Sequence, residues 1–164
     1  MTRDRPRSEF PEQVTQSTRQ RHRVYRLVSD AFAIHGTVPA AIRNSVFADL
    51  DDGAISFVRG VPDPSLPADR ITPLYSLSAS GTPAAPTGRL LVRFAQGDQA
   101  NAHRAEVEGA GYRIVEILAY APEAAWVESA DGSIAHALAR LGELESVAGV
   151  ANVEPQMVSP PSYR

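Results

Sequence analysis

Few residues in this chain have the types and spacing that chemistry requires. The four histidines, His22, His35, His103 and His136, fall on separate predicted elements with no partner at metal-ligand spacing. His103 and His136 lie on two helices predicted to pack on a sheet, but nothing in the sequence supports a shared site. Because the chain has no cysteine, disulfides, thiolate metal sites and thiol nucleophiles are excluded. Each histidine is interpreted as an ordinary surface residue.

Two short motifs look like functional loops but lack the required context. The stretch 78–81 (Ser-Ala-Ser-Gly) has neither the preceding buried strand nor the following helix of a nucleophile elbow. Asp49, Asp51 and Asp52 precede Gly53 without the ligand spacing of a calcium loop. No glycine loop that would cradle phosphate is present. We therefore predict no catalytic residue, no metal ligand and no cofactor, and expect a binding protein rather than an enzyme.

Charge is distributed unevenly along the 164 residues, which suffice for one ordinary domain with additional segments. Residues 1–26 carry seven arginines against three acidic residues, whereas residues 89–164 carry ten acidic residues against six arginines. The basic end has no interleaved aromatics, so nucleic acid is not the expected partner. No leader-like or membrane-length apolar run occurs, which predicts a cytoplasmic protein without membrane contact.

The first half of the chain is predicted to contain an arm, a helical extension and a linker. Residues 1–13 lack an apolar period and are expected to form a mobile basic arm. Residues 14–60 are expected to form a helical extension that includes a short second helix after Val38 and a strand over 54–58. Residues 61–87, rich in Pro, Gly and Ser, are interpreted as a linker with one extended piece at 69–77. The apolar stripe of the first helix is Val24, Leu27, Val28, Ala31 and Phe32.

The second half, residues 88–155, alternates between periods of two and of three to four residues. The pattern predicts strand, helix, strand, strand, helix, strand, with Asp98 and Ser133 as N-caps. Two such crossovers give an α+β fold, a ferredoxin-like βαββαβ domain with a four-stranded antiparallel sheet and both helices on one face. The other face has no cover of its own unless the N-terminal segment supplies it. That face is predicted to hold Leu91, Arg93, Glu116 and Trp126.

Four stretches of this region occur in an order typical of one family. They are 88–94 (Gly-Arg-Leu-Leu-Val-Arg-Phe), 111–122 (Gly-Tyr-Arg-Ile-Val-Glu-Ile-Leu-Ala-Tyr-Ala-Pro), Trp126-Val127, and the run from Leu141 through 147–155 (Val-Ala-Gly-Val-Ala-Asn-Val-Glu-Pro). In these residues the chain resembles the N-terminal propeptides of subtilisin-like serine proteases. Neither a secretion signal nor a protease domain is visible, so we expect action in trans, or in cis within a longer chain.

The resemblance implies an inhibitor and folding chaperone that packs its open sheet face on the protease and lays its C-terminal tail in the substrate cleft. The face implied is Leu91, Arg93, Glu116, Trp126 and Glu128. The tail implied is Gln156, Met157, Val158, Ser159, Pro160, Pro161, Ser162, Tyr163 and Arg164. An extended tail can pair its backbone with an exposed edge, and its two prolines reduce the entropy lost on ordering.

Two other functions stay open at this stage. The first is a regulatory or scaffolding domain that binds a non-protease partner through the predicted helix at Val24 to Phe32. The second is a small enzyme with an unrecognised site.

Overall fold

The computed structural model describes residues 9–161 and contains two compact units. The first unit comprises residues 9–13, 25–86 and 157–161, and the second comprises residues 14–24 and 87–156. The fold is mixed α+β with antiparallel sheets and few, short helices. None of the helices within residues 9–161 is long and apolar enough to cross a membrane.

The strands and helices have the following bounds. The strands are β1 (Gln13–Thr15), β2 (Val24–His35), β3 (Val46–Leu50), β4 (Ile55–Arg59), β5 (Ile71–Ser76), β6 (Ala85–Phe94), β7 (Tyr112–Leu118), β8 (Ala121–Ser129) and β9 (Val150–Val158). The helices are α1 (Arg104–Gly109), α2 (Ile134–Ala139) and α3 (Leu141–Glu145), with 3-10 segments at Ala40–Ser45, Asp51–Gly53, Ala68–Arg70 and Ala100–His103.

The sheet of the second unit has the strand order β7-β8-β6-β9. Its buried face includes Leu90, Val92 and Val127, which have no solvent exposure. Helix α2 packs on this face, where the Tyr112 hydroxyl donates a 2.7 Å hydrogen bond to the Ala137 carbonyl. Burial raises the pKa of Tyr112 well above its ordinary value, so this hydroxyl remains a donor.

The two predicted helices of this unit are present but differ in detail. The first is split into the 3-10 segment Ala100–His103 and α1, and Asp98 does not cap it. The second begins as predicted, since the Ser133 hydroxyl accepts a 3.1 Å hydrogen bond from the His136 amide. Asp98 instead lies beside His103, with 3.0 Å between Asp98 Oδ1 and His103 Nε2.

Strand β7 contains a bulge that changes which side chains face the core. The register pairs Ile114 with Val127 but Glu116 with Trp126, so Val115 is an extra residue on β7. Strict alternation along this strand would place Val115 on the same side as Ile117, but the bulge leaves its side chain 38% exposed. Ile114 takes the core-side position, while Glu116 stays on the opposite face as predicted.

The other sheet has the order β1-β2-β4-β3, with β5 paired to β2. In the first unit one core cluster contains Ala31, Ala33, Phe57 and Leu74, among other residues. A second cluster contains Phe32 and Ile34 with their neighbours. Strand β2 is thus buried on both of its faces along this stretch.

The predicted helix over Val24 to Phe32 is wrong, because these residues belong to strand β2. Four consecutive residues, Ala31 to Ile34, are buried, with alternate side chains entering the two clusters. A strand that is buried on both faces is apolar at successive positions, and such a run also satisfies helical spacing. The second predicted helix is realised as the 3-10 segment Ala40–Ser45 followed by β3.

The segment interpreted as a linker contains ordered structure. Strand β5 lies within the extended piece predicted at 69–77, and all six of its residues are buried. The Tyr75 hydroxyl of β5 donates a 2.7 Å hydrogen bond to the Pro11 carbonyl, in the segment expected to be a mobile arm. Residues 1–8 of that arm lie outside the described residues. The strand predicted over 54–58 is present as β4.

Replacing Gly149 with alanine is expected to destabilise the chain by about 2–3 kcal/mol, because a left-handed backbone alone costs about 1–2 kcal/mol in a residue with a Cβ. Gly149 has φ +86°, and an added Cβ would lie 2.7 Å from Asp98 Oδ2 and 3.1 Å from His103 Cε1. Asp98 can move, but the His103 ring is held by stacking on Phe94, with centroids 4.4 Å apart. Urea unfolding measures the change.

Gly132→Ala is the matched control for that substitution. Gly132 also has a positive φ, +75°, but an added Cβ would have no neighbour within 4 Å. We expect it to cost about 1 kcal/mol, the backbone component alone. Equal costs for the two variants would show that crowding at Gly149 is absent.

Candidate protein-binding site

Trp126 occupies the centre of the sheet face opposite the helices. It pairs with Leu91 on β6 and with Glu116 on β7, and directly opposed residues project to the same side of a sheet. We define the Trp126 face as Leu91, Arg93, Glu116, Trp126 and Glu128, the five residues predicted for it. Arg93 and Glu116 are exposed, and the other three are partly exposed. The structure therefore brings the predicted face residues together.

Glu128 is fixed at one side of this face by two arginines. Arg89 Nε lies 3.5 Å from one carboxylate oxygen, and an Arg113 terminal nitrogen lies 3.3 Å from the other. Exposed ion pairs of this kind contribute about 0–1 kcal/mol each, so their main effect is to orient Glu128. Sequence reasoning missed both arginines. The period of two that selected Leu91 and Arg93 also includes Arg89, which was the available signal.

Residues of the N-terminal segment cover the edge of β9 within the second unit. The Thr18 amide donates to the Val153 carbonyl at 3.1 Å, and the Val153 amide donates to Thr18 Oγ1 at 2.9 Å. Asn152 Oδ1 accepts hydrogen bonds from Ser17 Oγ at 2.7 Å and from Thr18 Oγ1 at 3.0 Å. The cover that sequence analysis considered for the face is therefore provided in part, at its β9 side.

The predicted tail begins inside a strand. β9 continues to Val158, so Gln156, Met157 and Val158 are strand residues. Gln156 Oε1 accepts a 2.7 Å hydrogen bond from Thr87 Oγ1. Val158 packs against the core cluster of the first unit. A segment free to extend can therefore start only after Val158.

The structure describes three of the six remaining tail residues. Ser159, Pro160 and Pro161 follow the end of β9. Ser162, Tyr163 and Arg164 lie outside the described residues.

The two histidines predicted on helices, His103 and His136, have different acidic neighbours. His136 Nδ1 bonds Asp131, whereas His103 lies beside Asp98. Hydrogen bonds from the Ser129 hydroxyl, the Ser133 amide and His136 hold the pKa of Asp131 well below its usual value. The two helix histidines therefore form no shared site.

His35 and Asp49 each have a side-chain partner within the fold. His35 Nε2 lies 2.9 Å from Thr72 Oγ1, and burial lowers the pKa of His35. Asp49 Oδ1 accepts a 2.6 Å hydrogen bond from Ser56, while Asp51 and Asp52 adopt left-handed φ values of 50° and 53°. Over residues 9–161 no group of three or more acidic or histidine side chains is placed to hold a metal ion.

Comparison with known proteins supplies no further assignment. No protein-family model matches the chain, no curated protein matches it, and no solved structure matches it. The docking helix on which a scaffolding role was based is strand β2. Function is therefore inferred from the chain's own residues, among which the Trp126 face is the best-assembled candidate site.

Proposed function

We propose that this chain is a propeptide-like inhibitor and folding chaperone of a subtilisin-like serine protease, and that its second unit is a ferredoxin-like βαββαβ domain. The strand order β9-β6-β8-β7 supports this topology, as do helical segments in both crossovers. The proposal includes no catalytic step by this chain.

The observation that carries the proposal is the row formed by Leu91, Trp126 and Glu116 across three adjacent strands. A partly exposed tryptophan with an aliphatic neighbour and a charged surround has the composition of an interface centre with a polar rim. The face is preorganised by the sheet, so little conformational entropy is lost when a partner binds.

Only the part of the C-terminal tail that follows β9 is proposed to take part in inhibition. Residues 159–164 are the part available to enter a substrate cleft, and Pro160 and Pro161 favour an extended backbone there. The strand residues 156–158 would instead fix the point at which the tail begins.

Removing residues 159–164 is expected to weaken inhibition by about tenfold or more, because cleft contacts are lost while the Trp126 face still binds. The inhibition constant is measured against the subtilisin-like proteases of the source genome with a chromogenic peptide substrate. A chain in which 159–164 are replaced by Gly and Ser at equal length is the control for tail length. Equal inhibition by the intact and shortened chains would remove the tail from the mechanism.

The competing function is a scaffolding role in which the same face binds a non-protease partner. The face itself favours protein binding and does not define the class of protein. If no protease is inhibited while a Trp126 variant loses a captured partner, the scaffolding role is the correct one.

A further inference from the structure

A polar cleft of about 400 Å³ lies beside β9 in the second unit. Arg19 and Arg23 line it from the turn that precedes β2, and Arg93 lines it from β6. Among the described lining residues, Glu154 is the acidic one, so the cleft carries an excess of positive charge. Neither the Trp126 face nor the tail accounts for this group of arginines as a whole.

The arginines of the cleft differ from others in the same unit. Arg21, Arg89 and Arg113 each have a glutamate partner. By contrast, none of the side chains of Arg19, Arg23 and Arg93 makes an ion pair or hydrogen bond with any of residues 9–161. Guanidinium groups match carboxylates in planar, paired hydrogen bonds, so the cleft offers unused capacity for an anion.

Glu154 is oriented in the cleft by a hydrogen bond from Asn152. The Asn152 amide nitrogen donates a 2.8 Å hydrogen bond to Glu154 Oε1. The Asn152 carbonyl oxygen is already occupied by Ser17 and Thr18. The amide is thus fixed at both ends and keeps the glutamate in place beside the arginines.

Gln16 also lines the cleft. Its Oε1 atom is buried and accepts no hydrogen bond from residues 9–161. A buried acceptor without a partner is unfavourable, so this side chain would gain a hydrogen bond by turning into the cleft towards an N–H or O–H group of a ligand. The cleft therefore presents donors for an anion, and Gln16 can add an acceptor that a simple carboxylate anion does not satisfy.

We propose that this cleft binds an acidic residue of an extended peptide. The side-chain carboxylate pairs with the arginines, and the Gln16 side chain turns into the cleft so that its Oε1 accepts a hydrogen bond from a backbone N–H of the same peptide. A peptide supplies both groups within one or two residues. The inference concerns the cleft alone and does not require that the partner be a protease.

The test is a titration of the full-length ¹⁵N-labelled chain followed by NMR. The probe is acetyl-Gly-Glu-Ala-amide, and its matched control is acetyl-Gly-Gln-Ala-amide. We expect the glutamate peptide to shift the arginine Nε–Hε and Gln16 amide signals, and to bind about tenfold more tightly than the glutamine peptide, because charge-assisted hydrogen bonds are roughly twice as strong as neutral ones. Arg93→Gln should weaken binding about fivefold.

Arg104→Gln is the charge-matched control, since Arg104, on α1, bonds Asn101 and is not among the cleft residues. Unchanged spectra on adding the glutamate peptide would overturn the proposal. Equal affinity for sodium acetate or sodium phosphate would also overturn it, by showing a simple anion site. Peptide binding without inhibition of any protease would reject only the proposed function.

Discussion

Replacing Trp126 with alanine is expected to weaken inhibition of the partner protease about thirtyfold, the effect of losing about 2 kcal/mol at an interface centre. Trp126 lies opposite Leu91 and Glu116 on adjacent strands, and it is partly exposed in the free chain. Truncation removes the largest apolar surface of the face and leaves the charged rim unchanged. The inhibition constant is measured for both proteins under one set of conditions.

Phe47→Ala is the control for loss of an exposed aromatic ring. Phe47 is 37% exposed on β3 and contacts Phe57 and Arg59, all within the first unit, whereas the Trp126 face belongs to the second unit. It should leave inhibition unchanged. If the two variants inhibit equally, the Trp126 face is not the binding surface. Urea unfolding of each variant separates a binding effect from loss of the folded state.

Replacing Asn152 with alanine is expected to destabilise the chain by about 2–4 kcal/mol, since a buried acceptor shared by several donors is removed. Asn152 is 5% exposed, and its Oδ1 accepts from Ser17 Oγ, Thr18 Oγ1 and the Arg19 amide. The loss would also release the Thr18 contact with β9. Urea unfolding gives the free energy, and hydrogen exchange at the Val153 amide reports the release.

Asn101→Ala provides the matched control for that loss. Asn101 also accepts a hydrogen bond, 2.7 Å from Arg104 Nε, but both groups are exposed. Its replacement should change the free energy of unfolding by no more than about 0.5 kcal/mol. A similarly small effect of Asn152→Ala would mean that the N-terminal segment does not depend on this amide.

The second half of the chain was predictable because each of its elements has one buried face. The alternation of Leu90, Val92 and Phe94 gave β6 its inward side, and all three are buried. The failure within β7 has a local cause. The bulge at Val115 inserts one residue into the register, and sequence alternation contains no mark of an insertion.

The first half was less predictable because burial on two faces removes periodicity. Ala31 to Ile34 are apolar at every position, which fits helical and extended spacing equally well. Residues 69–77 were predicted as an extended piece within a linker, and β5 lies inside that piece. The prolines and glycines around it indicated the loops, but they did not indicate that the whole of β5 is buried.

The candidate site was likewise predictable from the sequence only in part. Leu91, Arg93, Trp126 and Glu116 could be assigned to one face from alternation alone. The contacts of Asn152 with residues 17–19 could not be predicted, because they join positions more than 130 residues apart in sequence. Long-range polar pairs of this type leave no local pattern.

The most direct measurement is an NMR titration of the ¹⁵N-labelled chain with a subtilisin-like protease whose catalytic serine has been replaced. The chain has one tryptophan, so a single indole N–H signal reports on Trp126. We predict that this signal shifts or broadens on binding, while the amide of Val107, which is buried on α1 and on the opposite side of the sheet, does not. An unchanged indole signal at saturating protease would contradict binding through the Trp126 face.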